Sequence, residues 1–362
     1  MNATTVSVRL TRLRELLAQQ SIEALLVSQP ENRVYFSGFT GSAGALFISA
    51  DSALIATDFR YYEQAGIECP QFELVKVTSA LTDVLPELVA RQPVKRLGFE
   101  ADHATFAEVQ EWMGAAPEVE WAATKDLVMD LRAVKDADEI DMLRQAIRLT
   151  DQALSAALAQ ARPGMTEREL VWLIESTIRT HGAPAVSFDT VVASGPNGAR
   201  PHAKASDAAM PAGQPIVIDM GARLGGYCAD LTRTVCFGQP NEPDRFWEIY
   251  DTVLRAQQAA ESVIQPGLTG KEVDAVARDL ITEAGFGEFF GHGLGHGVGL
   301  AVHEMPRFSR LAVAPLAAGN VVTVEPGIYL PGWGGVRIED VVLVTRNGVE
   351  VLTKAPKDPI VT

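Results

Sequence analysis

Residues 211–221 read Pro-Ala-Gly-Gln-Pro-Ile-Val-Ile-Asp-Met-Gly, and residues 317–327 answer with Ala-Ala-Gly-Asn-Val-Val-Thr-Val-Glu-Pro-Gly. Each stretch is a turn glycine, a β-branched run of the kind that forms a buried strand, and then a single carboxylate, Asp219 or Glu325. The match continues upstream. Arg-Pro-Gly-Met-Thr (162–166) with Glu169 parallels Gln-Pro-Gly-Leu-Thr (265–269) with Glu272. Both are Pro-Gly punctuation followed by a Thr-x-x-Glu capping box at the head of an apolar-periodic helix. Pro163 precedes Asp219 by 56 positions and Pro266 precedes Glu325 by 59, with His202 and His303 between them at comparable offsets. An internal duplication accounts for cap, spacing and carboxylate together.

The duplication brings more acids with it. Asp230 follows Asp219 by eleven residues, and a turn at Leu224-Gly225 would set the two opposite each other with Cβ atoms about 5 Å apart. Glu325 and Glu339 are equidistant from Gly332 in the same manner. Apolar neighbours such as Ile218, Val324 and Ile338 place these positions inside. Four buried carboxylates repel one another and lose hydration, so protons or cations must lie among them.

Phe290 to Glu304, FGHGLGHGVGLAVHE, supplies the nitrogen donors: three of the six histidines, with glycine at every second position from Gly291 to Gly299. Its bare backbone suggests room for a substrate rather than a core. On an extended strand His292 and His296 would lie about 13 Å apart on one face, too far to bind one ion together. One imidazole with four carboxylates and no thiolate suits Mn²⁺, Co²⁺ or Zn²⁺. Four carboxylates overcharge a single divalent ion, so two are expected, spaced to activate a hydroxide between them.

Elsewhere the chain is informative mainly by exclusion. A net charge of −15 argues against general affinity for nucleic acid or an anionic membrane surface. Three cysteines make no disulfide framework, and no secretory leader or membrane-length apolar run is visible, so a cytoplasmic protein is expected. Helical and strand-like stretches alternate through the first third, indicating an α/β domain with a mixed sheet. A long amphipathic pattern from Lys135 to Ala161 opens the second domain. The expected domains are 1–131 and 132–362.

Taken together, these residues resemble the pita-bread metallopeptidases that include Xaa-Pro aminopeptidase and Xaa-Pro dipeptidase (prolidase). The resemblance spans the chain: a creatinase/prolidase-like mixed-sheet domain, then a pita-bread α+β catalytic domain with a pseudo-twofold repeat. The family's metal ligands fall on Asp219, Asp230, His296, Glu325 and Glu339, within matching Ile-Asp-Met-Gly, Asp-Leu-Thr-Arg-Thr, Gly-His-Gly-Leu-Gly-His, Val-Glu-Pro-Gly and Arg-Ile-Glu-Asp motifs. What this implies is metal-dependent hydrolysis of the bond between an N-terminal residue and a following proline, with two divalent ions, Mn²⁺ foremost. Glu325 would act as base and then acid, and His202 and His303 would contact the scissile group. His292 would line the proline pocket, and Arg337 would orient ligand carboxylates. A small peptide with proline second is the implied substrate and a homodimer the implied assembly. Aminopeptidase action is preferred, with a dipeptidase as the alternative. A methionine aminopeptidase would lack the separate first domain, and creatinase-type enzymes or a non-catalytic peptide- or histone-binding relative would lack the ligands.

Overall fold

Short β-branched runs separated by helices give the first part of the chain its sheet. The computed structural model describes residues 3–92 and 94–362 and divides the chain into two units, Met1–Arg132 and Ala133–Thr362. In the first, strands β1 (Ala24–Val27), β2 (Ala45–Ser49), β3 (Ala53–Asp58), β4 (Glu73–Val77), β5 (Arg96–Glu100) and β6 (Glu120–Thr124) form one sheet in the order β4-β3-β2-β1-β5-β6. β2 runs antiparallel to β1 and β3, while the β3–β4, β1–β5 and β5–β6 pairs are parallel. Parallel neighbours need crossovers, and the intervening helices supply them, burying Leu85, Leu88 and Trp112 against Leu26, Phe47 and Leu54. Among the described residues, no helix is long and apolar enough to cross a membrane.

The second unit holds four sheets, of two to five strands, and the two largest each share a core with a helix pair. Helices Ala137–Leu158 and Glu167–Thr180 share one core with strands Pro215–Met220 and Leu231–Phe237. Helices Pro243–Val263 and Gly270–Glu283 share the other with Val321–Val324 and Asp340–Thr345. The repeat is visible bond by bond. Thr166 and Thr269 both cap their helices by accepting from the backbone N–H of Glu169 and Glu272. Gly164 N–H donates to Met210 O as Gly267 N–H donates to Leu316 O.

The two carboxylate hairpins differ in register. In the first, Gly225-Gly226 forms the tip, with φ of +58° and +88°. A two-residue turn with positive φ at both positions takes glycine twice, which Leu224-Gly225 does not offer. Asp219 therefore pairs with Thr232 rather than Asp230. Asp230 stands diagonal to it, and a two-residue offset keeps the same face. In the second hairpin, Val324 pairs with Asp340 and Gly327 with Arg337, bracketing Glu325 opposite Glu339. There the ladder breaks: Glu325 N–H donates to Leu294 O and Glu339 N–H to Thr232 O.

The glycine-rich stretch is not one long strand. Only Gly295–Gly297 is extended, and a Cβ on Gly295 would lie 2.1 Å from Thr323 O. That glycine serves close strand packing rather than space for a substrate.

Candidate metal centre

All nine side chains singled out above line one cavity of about 860 Å³. At its floor Asp230, His296 and Glu339 each offer a donor atom, all within 4.8 Å of one another. His296 Nε2 lies 3.2 Å from Glu325 Oε1 and 3.7 Å from Asp230 Oδ2. Its Nδ1 is 3.0 Å from Gly297 O, which only accepts, so Nδ1 carries a proton and Nε2 is the nitrogen turned to the carboxylates.

A second layer of polar groups holds these ligand-type side chains. Thr232 Oγ1 donates to Glu339 Oε2 at 2.7 Å, and Arg337 Nε donates to Thr232 Oγ1 at 3.0 Å. Arg337 also donates through Nη2 to Asp219 Oδ2 at 2.5 Å and through Nη1 to the Tyr329 hydroxyl at 2.8 Å. Thr323 Oγ1 accepts from His296 N–H, and its hydroxyl lies 3.3 Å from Glu325 Oε1. Thr232 and Tyr329 were not read from the sequence. Thr232 sits inside the quoted Asp-Leu-Thr-Arg-Thr motif, two residues after Asp230, whereas Tyr329 lies two residues beyond Val-Glu-Pro-Gly.

Burial sets the protonation of the set. It raises the Asp219 carboxyl, with the Arg337 charge opposing, and raises Asp230 and Glu339 well above the ordinary range, where neighbouring carboxylates add to it. Glu325 goes the other way: burial opposes its ionisation, but the hydrogen bond and charge of His296 outweigh it and bring the carboxyl to about 2. Asp219 Oδ1 and Glu339 Oε1 are buried without a hydrogen-bond donor among the described residues. Oxygen-rich donors, one imidazole, no thiolate and two unpartnered buried oxygens together fit divalent metal ions.

The remaining histidines differ in freedom. His292 lines the cavity, yet both ring nitrogens are engaged, Nδ1 with Gly293 O at 2.8 Å and Nε2 with the Tyr329 hydroxyl at 3.0 Å. It offers a substrate the side of a ring rather than a hydrogen bond. His303 packs edge-on to His296 with ring centroids 4.4 Å apart, and burial plus the His296 charge lower its pKa. His202 faces the cavity from a loop with no hydrogen bond to its ring among the described residues. Arg307 also lines the cavity and escaped the sequence reading.

Comparison with known proteins agrees with this geometry. The family model for metallopeptidase family M24 matches residues 141–346. The chain belongs to the M24 metallopeptidases. The creatinase/prolidase N-terminal domain model matches residues 9–134 of this M24 protein. A solved Xaa-Pro dipeptidase from Bacillus anthracis is 41% identical with a TM-score of 0.95, covering 99% of this chain and 100% of that one. A solved X-Pro aminopeptidase from Thermotoga maritima is 42% identical with a TM-score of 0.90, covering 98% and 99%. A Xaa-Pro dipeptidase from Pyrococcus furiosus is 38% identical over 97% of this chain and 99% of its own length. Family membership makes the chain a metallopeptidase, which implies divalent metal, and Asp230, His296 and Glu339 are a group of the size to hold one ion.

Proposed function

We propose that this M24 metallopeptidase hydrolyses the peptide bond between an N-terminal residue and a following proline. The preference for proline is supported by the names of the relatives above. The chemistry is carried by one observation: four carboxylates and one imidazole from both halves meet at the floor of a cavity whose walls hold three more histidines. Asp219, Asp230, His296, Glu325 and Glu339 are assigned as ligands of two divalent ions, Mn²⁺ foremost, with Co²⁺ or Zn²⁺ as alternatives. Bound there, such ions polarise the scissile carbonyl and lower the pKa of water toward neutrality.

The chain's own residues do the rest. Glu325, whose Oε1 lies 3.2 Å from His296 Nε2 at the cavity floor, is assigned to accept the proton of the attacking water and return it to the departing nitrogen. His303, held neutral, donates a hydrogen bond to the carbonyl oxygen without adding net charge. His202, at the cavity wall, is assigned to the scissile nitrogen, and Arg337 fixes Asp219.

A second reading concerns substrate length. The Arg307 guanidinium lines the cavity and has no hydrogen-bonded or ion-paired partner among the described residues. A cation so placed suits the free carboxylate of a dipeptide, which favours dipeptidase over aminopeptidase action. A cytoplasmic homodimer completes the proposal; all three cysteines are buried.

Hydrolysis of a Xaa-Pro dipeptide and a Xaa-Pro-Pro tripeptide, compared with Mn²⁺ present, tests both statements. Cleavage of neither overturns the proposal. Faster turnover of the dipeptide, with KM for it alone rising in Arg307→Met, supports the carboxylate role. Preference for the tripeptide returns the chain to the aminopeptidases.

A further inference from the structure

We propose that Glu167 is the positioning residue for His202, a buried carboxylate that ties down both flanks of the loop carrying that histidine. The inference rests on the substrate-facing role given to His202 above.

His202 is poorly held by its own surroundings. It lies in a stretch without regular secondary structure, and its side chain is exposed to the cavity. An imidazole that must meet a scissile group within a few tenths of an ångström needs its backbone fixed from elsewhere. Glu167, 1% exposed, stands at the first turn of helix Glu167–Thr180. Its Oε1 accepts from Ser194 N–H at 2.7 Å. Its Oε2 accepts from Asn197 Nδ2 at 2.8 Å, Ser206 N–H at 2.8 Å and Ser206 Oγ at 2.7 Å. Ser194 and Asn197 precede His202 and Ser206 follows it, so one side chain closes the loop on itself. Four donors and the positive end of the helix make burial of this carboxylate tolerable. A weaker tie comes from the other side, where Arg337 Nη1 donates to Pro201 O at 3.4 Å.

Glu167 has no duty in capping its own helix. Thr166 and Glu169 form the capping box between themselves. The second half isolates the difference, because its box uses Thr269 and Glu272 while the residue between them in register with Glu167 is Gly270. A Cβ at Gly270 would lie 1.9 Å from Arg307 O, so there the helix end packs directly on the neighbouring strand. The cap is shared by both halves. The loop-binding carboxylate belongs only to the half that carries His202.

The test is a double-mutant cycle on the full, Mn²⁺-loaded chain. Glu167→Gln keeps the shape but turns an amide N–H₂ toward groups that are themselves donors. kcat on a Xaa-Pro dipeptide should fall about ten- to a hundredfold, with KM and bound metal per chain little changed. In a His202→Ala background the same substitution should cost less than about twofold. Amide hydrogen exchange across residues 195–206 should quicken in Glu167→Gln. An equal loss in both backgrounds, or unchanged exchange, overturns the proposal. Full activity of His202→Ala alone would instead remove the role of His202, leaving exchange to judge the anchoring. If Glu167→Gln does not fold, Asn197→Ala removes one donor of the four, and its smaller loss should likewise vanish in His202→Ala.

Discussion

Replacing Glu261 by glutamine should stabilise the protein at pH 8 and leave its stability near that of the parent at pH 4.5. Glu261 projects from helix Pro243–Val263, 8% exposed, toward Asp340. Asp340 already holds two cations, Arg233 Nη2 at 2.8 Å and Lys357 Nζ at 2.5 Å. Lys357 is 3.9 Å from Glu261, and Glu261 Oε1 has no hydrogen-bond partner among the described residues. Burial first, and then the Asp340 charge, push the Glu261 carboxyl up to about 7, with Lys357 opposing. The folded protein thus keeps a proton that the unfolded chain releases near pH 4.5. More protons bound when folded means that stability declines as pH rises through this window. At about 1.4 kcal/mol per unit, the decline amounts to about 3 kcal/mol, complete above pH 7. Glutamine is neutral throughout, and its amide can donate to Asp340 where the acid proton did. Urea denaturation of both proteins at pH 4.5, 6 and 8 reads the difference directly. A stability difference that stays flat across this range, or that favours the parent at pH 8, refutes the reasoning.

Two further expectations concern the centre. Asp230→Ala should abolish peptidase activity and lower bound metal per chain, measured by elemental analysis, while circular dichroism and limited proteolysis show the first unit still folded; full activity would exclude the two-ion assignment. Tyr329→Phe removes the hydroxyl that lies between His292 and Arg337 and deprives Arg337 Nη1 of its 2.8 Å partner. It should lower stability by about 1–3 kcal/mol in chemical denaturation, and an unchanged midpoint would mean that water replaces the hydroxyl without loss.

Much of the architecture was legible because it is written locally. Capping boxes, Pro-Gly breaks and β-branched runs are short-range signals, and their recurrence exposed the repeat. The symmetry of Glu325 and Glu339 about Gly332 could be read by counting, since the pairing on both sides keeps one register. Counting failed for Asp219 and Asp230 because turn chemistry moved the tip by one position, to the glycine pair. The error did not displace either acid from the cavity, because two residues of slip restore the face. What spacing could not show were the groups that hold the ligand-type side chains. Thr232 meets Glu339 across 107 residues of chain and Glu167 meets Ser206 across 39. Neither meeting leaves a periodicity behind. His292 does line the cavity, but the commitment of both its ring nitrogens to Gly293 and Tyr329 left no trace in the spacing.

The break in the ladder at the paired glutamates has a consequence for the origin of the centre. Where Glu339 should bond its own hairpin partner, its amide crosses to Thr232 of the other half, and Arg337 crosses likewise to Asp219. Neither half is complete alone. A single half working as a symmetric dimer would build such a centre on its axis, where every substitution is made twice. Fusion into one chain lifts that restriction. One copy can then carry the imidazole at His296 and a glycine at Gly270, while the other carries Glu167 and the His202 loop. The asymmetry a peptide bond demands, with a carbonyl on one side and a nitrogen on the other, becomes available to a scaffold that began as two equals.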